Sequence, residues 1–64
     1  MPIVTLTLDK AEALGVSRTE LLESTLSLHA MRALEPLLAS RGFDMTRTVH
    51  VVVLASGEGI VLTQ

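Results

Sequence analysis

The chain has 64 residues, enough for one domain, and contains no cysteine, which excludes disulfides and thiolate metal sites. Five basic and seven acidic side chains give a formal charge of −2, so an overall basic footprint for nucleic acid is absent. Hydrophobic residues make up 48% with almost no aromatics, and so much aliphatic content in so short a chain favours an oligomer whose interface completes the core.

Ile3-Val4-Thr5-Leu6-Thr7-Leu8 alternates and is rich in β-branched residues, which predicts a strand. Val4, Leu6 and Leu8 share one face. Ile3, Thr5 and Thr7 share the other, a half-polar face suited to water or to a partner. Pro2 lacks an N–H and suits the start of a strand. Residues 9–14 are rich in helix formers but few. They read either as one or two helical turns capped by Asp9 and stopped by Gly15, or as a loop.

Residues 15–38 read as the organising helix. Ser17-Arg18-Thr19-Glu20 is a capping box: the Ser17 hydroxyl accepts from the Glu20 N–H, and the Glu20 carboxylate accepts from the Ser17 N–H. Val16 and Leu21 are placed to close as a hydrophobic staple. At ~100° per residue, Leu22, Leu26, Ala30, Ala33 and Leu37 fall on one arc, with Leu34 at its border. Leu28 stands off that arc, and with Met31 it marks a second contact surface. Pro36 removes a backbone donor and clashes with the carbonyl four residues back. Either the helix kinks there, as the periodicity of Ala33 and Leu37 favours, or it ends near Leu34 and Pro36 opens a second one. Gly42 is a C-terminal stop.

Phe43 reads as a core plug. Residues 46–55 give the strongest strand signal, with apolar side chains on both faces, which implies burial on both. Ser56-Gly57-Glu58-Gly59 is turn chemistry, and Ile60-Val61-Leu62-Thr63 returns as a strand, completing a hairpin. The order strand, helix, strand, strand predicts an α+β protein. One long, Pro-kinked helix covers one face of its small sheet, and oligomerisation covers the other.

Constellations that carry chemistry are sparse. His29 and His50 have no cysteine and no carboxylate at metal-site spacing, so both read as structural histidines, and no metal or cofactor is assigned. Gly57 and Gly59 join two strands and open no helix, so they read as turn glycines and not as a phosphate cradle.

Two resemblances add to this. Val4-Thr5-Leu6-Thr7-Leu8 followed by Leu14-Gly15-Val16-Ser17-Arg18-Thr19-Glu20-Leu21-Leu22 resembles the ribbon-helix-helix DNA-binding proteins over residues 4–22. That resemblance implies a strand that pairs with its twin across a dimer. Thr5 and Thr7 would then face bases, and the amides around Ser17 and Arg18 would face phosphate. Pro2-Ile3-Val4, the strand-helix-strand order and Val49-His50-Val51-Val52 are similar to the small tautomerases that use an amino-terminal proline. This implies Pro2 as general base, with Arg18 and Arg47 binding a substrate carboxylate. With Met1 attached, however, the Pro2 nitrogen is an amide and cannot be a base.

The sequence is therefore read as a small homo-oligomeric, non-enzymatic regulatory or interaction module for a protein partner or DNA. Ile3, Leu28 and Met31 are its candidate partner contacts. No apolar run approaches the ~20 residues of a membrane span, and the N-terminus lacks a charged leader with an apolar core. The expected location is the cytoplasm.

Overall fold

The structure, a computed structural model, describes residues 1–64. It is a small α+β fold: strand β1 (Ile3–Thr7), helices α1 (Leu8–Ala13), α2 (Arg18–Leu21), α3 (Leu28–Ala33) and α4 (Glu35–Ser40), then strands β2 (His50–Val53) and β3 (Gly59–Thr63). The sheet is antiparallel throughout in the order β1-β3-β2, with Val4 and Val51 both opposite Leu62. No helix is long and apolar enough to cross a membrane.

The alternation in β1 does what its pattern dictates: Val4 and Leu6 are buried while Ile3, Thr5 and Thr7 are exposed. Residues 9–14 are helical, but Thr7 and not Asp9 is the cap, its hydroxyl accepting from the Lys10 N–H at 3.1 Å. Gly15 follows with φ +103°, a conformation that costs other residues a Cβ clash, and the helix stops.

The single long helix is not formed. The capping box at Ser17 is present with both reciprocal bonds, yet α2 lasts only four residues. Two competing interactions end it. Ser27 caps a new helix by accepting from the Ala30 N–H at 3.1 Å. Residues 24–26 are drawn against the edge of β2, where the Val51 N–H donates to the Ser24 carbonyl at 2.8 Å and the Leu26 N–H to the Val49 carbonyl at 3.0 Å. Hydroxyl side chains are helix starters more than helix continuers, so Ser24, Thr25 and Ser27 yield to the sheet contact at small cost. The helical arc is reassigned accordingly. Leu21, and not Leu22, is buried, whereas Leu22 is 59% exposed; Leu26, Ala30, Leu34 and Leu38 are all buried.

A kink at Pro36 is likewise replaced by a break. Leu34 ends α3 and begins α4, with Pro36 in the first turn of α4, where its missing N–H is no loss.

The second strand is shorter than the 46–55 run and lies at the sheet edge. Only one of its faces is buried: Val49 and Val51 are inside, whereas Val52 is 57% exposed. The centre of the sheet is β3, whose Ile60 and Leu62 are fully enclosed. The hairpin between them is present, with Gly57 at φ +75° in the turn and the Leu54 N–H donating to the Gly59 carbonyl at 2.9 Å. Fifteen apolar residues form one core, and Phe43 plugs it as the chain leaves α4. Full burial of each core Leu or Ile stabilises by about 1.5–3 kcal/mol.

Candidate interaction surface

All four helices follow β1 or precede β2, and the sheet face bearing Val4, Leu6, Val51, Ile60 and Leu62 is enclosed. The opposite face is not. The strand register sets Ile3, Thr63 and His50 in one row and Thr5, Val61 and Val52 in the next. Ile3 is 61% exposed, and Val52 and Leu54 are also exposed. The face is mixed, with Ile3, Val61, Val52 and Leu54 set among Thr5, Thr7, Thr63 and His50.

The two edges of the sheet differ. Residues 24–26 cover part of β2. Nothing covers β1. The Leu8 N–H donates to the Glu58 carbonyl at 3.0 Å on the β3 side, so by antiparallel alternation the main-chain groups of Ile3 and Thr5 point outward. Devices that blunt an edge, such as a lysine, a bulge or an internal proline, are absent from β1.

A second feature centres on Glu20. Its Oε2 accepts from the Ser17 N–H at 3.0 Å and the Ser17 hydroxyl at 2.9 Å, and its Oε1 accepts from the Ser27 hydroxyl at 3.3 Å. The Nδ1-protonated tautomer of His29 adds a bond at 2.8 Å. These donors, the Ser17 amide foremost, pull the Glu20 carboxyl down to about 2. The cluster ties the start of α2 to the start of α3 and fills the helix end with the protein's own carboxylate.

Arg18 is similarly engaged. Its guanidinium donates to Glu12 Oε1 at 2.7 and 3.0 Å and to Asp9 Oδ1 at 3.3 Å. The hydrogen bonds to Glu12, then its charge, raise the Arg18 pKa above its ordinary value. Of the residues named for a DNA contact, Thr5 is exposed on the free strand; Thr7 is exposed but its hydroxyl caps α1, and the Ser17 amide and Arg18 are occupied by Glu20, Glu12 and Asp9. The trio named for tautomerase chemistry is not assembled. Arg18 and Arg47 line different clefts and Pro2 lines none. No group of three or more His, Asp or Glu converges.

Leu28 and Met31 do lie together, with Leu28 64% exposed and Met31 half-buried at a cleft between α3 and the 44–48 loop. Sequence reasoning missed Val52 and Leu54 as surface residues and gave no place to Met45, which is half-buried against the core. The apolar run containing Val52 and Leu54 has the pattern of a strand buried on both faces, and Met45 stands in a loop with no periodicity to place it. No known protein family, curated protein or solved structure matches this chain.

Proposed function

We propose that the protein is a homo-oligomeric, non-enzymatic interaction module that associates through the free edge of β1 and the adjoining open sheet face. What supports this reading is the combination of an unpaired edge with exposed apolar side chains, Ile3, Val52 and Leu54, on the open face. A second copy aligned antiparallel along β1 pairs the outward groups of Ile3 and Thr5 and extends both the sheet and the core.

DNA binding has less support, because Arg18 is held by two carboxylates and the charge is −2. Native mass spectrometry and light scattering at micromolar concentration test the proposal. Thr5→Pro is the discriminating variant. The Thr5 amide points away from β3, so proline blocks only the partner. A wild-type protein that remains a 6.9 kDa monomer overturns self-association. Salt-sensitive retention on duplex DNA overturns the preference against nucleic acid.

A further inference from the structure

The cleft between α3 and the 44–48 loop has the chemistry of a peptide site. We propose that it binds an acidic segment of a partner protein, seating an apolar side chain on Leu28, Met31 and Met45 and a neighbouring carboxylate on Arg47. This deepens the interaction-module reading by naming the partner class of a second surface, whose side chains lie outside the open sheet face.

Four observations carry it. The cleft has a volume of about 290 Å³, room for a short segment. Its floor is aliphatic and thioether, which adapts to an incoming side chain, and Leu28 takes no part in the core. Its one charged lining residue is Arg47, which forms no ion pair. Asp44, the nearest acid in the loop, is exposed and feels the Arg47 charge only as a minor influence, its carboxylate accepting chiefly from the Thr46 N–H at 2.9 Å and the Thr46 hydroxyl at 2.6 Å. An unpaired guanidinium beside an apolar floor complements a carboxylate beside an apolar side chain. Duplex DNA supplies the anion but nothing for the floor. A smaller adjoining cleft shares Leu28, Met31 and Met45 and adds Arg32 beside Glu35.

The site is also held in shape. The Asp44 N–H donates to Gln64 Oε1 at 2.7 Å, and Gln64 Nε2 donates to the Asp44 and Arg47 carbonyls. Fixing the loop before binding removes part of the ordering cost. Thr25, on the opposite wall, directs its main-chain groups away from β2, because the flanking Ser24 carbonyl and Leu26 N–H are the ones bonded to that strand. They are placed to pair with a peptide backbone laid alongside.

The test uses a fluorescein-labelled peptide of Leu-Glu pairs, with Leu-Gln and Leu-Lys counterparts, followed by anisotropy and by amide shifts in nitrogen-15 NMR spectra. The Leu-Glu peptide is expected to bind with Kd below about 1 mM and to shift Thr25, Met31 and Met45. Arg47→Glu should weaken it at least about tenfold, and the same variant should gain affinity for the Leu-Lys peptide. Arg47→Gln gives a milder loss and guards against misfolding of the charge reversal.

Equal binding of the Leu-Gln peptide, no binding at about 1 mM, or shifts confined to β1 and β3 overturn the proposal. So does displacement of the peptide by a duplex oligonucleotide. Repeating the titration on the Thr5→Pro variant separates the two readings, since loss of self-association leaves this cleft intact.

Discussion

Replacing Ser17 by Ala removes a hydroxyl with two jobs. It accepts from the Glu20 N–H at 3.4 Å and donates to Glu20 Oε2 at 2.9 Å. Loss of an N-cap side chain costs about 0.5–2 kcal/mol. The accepted bond is longer than the usual 2.7–3.2 Å range for N–H···O, which places the expected loss in the lower half, about 0.5–1 kcal/mol. For a chain of this size 1 kcal/mol moves Tm by about 4–8 °C, so thermal melts by circular dichroism should fall by about 2–8 °C. Ser17→Thr keeps the hydroxyl and should melt close to the wild type.

The same cluster fixes the acid response. Glu20 titrates at about 2 in the folded chain and at about 4.3 in an unfolded one. Its contribution is therefore present above the unfolded value and is lost as pH falls toward the folded one. Ser17→Ala removes one of the donors that hold the carboxylate charged and should shrink that acid-dependent part; Glu20→Gln should abolish it. An unchanged melting point in Ser17→Ala at neutral pH, or an unchanged acid profile in Glu20→Gln, would refute the capping cluster.

Other outcomes follow from burial. Leu38→Ala empties a fully enclosed site and should cost about 2–5 kcal/mol. That is about half or more of the roughly 3–10 kcal/mol expected for 64 residues, so the urea midpoint should fall by about half or more. Leu28→Glu should leave the urea midpoint within about 0.5 kcal/mol of the wild type while abolishing peptide binding; if it unfolds the chain, Leu28 belongs to the core. Ile3→Glu places a charge on the free strand itself, where Ile3 is exposed, and should dissociate the oligomer, with far-ultraviolet circular dichroism unchanged.

Local chemistry carries much of the architecture. The alternation of residues 3–8, the capping box at Ser17, the hairpin turn at residues 56–59 and the stop at Gly15 each depend on neighbours within four positions, and each is present in the structure. The exposed Leu28 was also legible, because within α3 the helical period of 3.6 sets it away from the buried Ala30 and Leu34.

What the sequence left open was decided by long-range contacts. Whether residues 22–27 stay helical depends on whether a strand edge some 25 residues later competes for their amides, and β2 does so through Val51 and Val49. The centre of the sheet is equally a matter of topology. The valine-rich run has the stronger strand pattern, but β3 can pair with β1 and β2 at once, so Ile60 and Leu62 are enclosed while Val52 is left in the open. Arg18 looks free in the sequence, yet the turn at Gly15 brings Glu12 and Asp9 back onto its guanidinium. Propensity acts between neighbours and is worth tenths of a kcal/mol to about 1 kcal/mol per residue. Pairing and burial act between distant segments with larger gains, so the tertiary structure overrides the local preference wherever the two conflict.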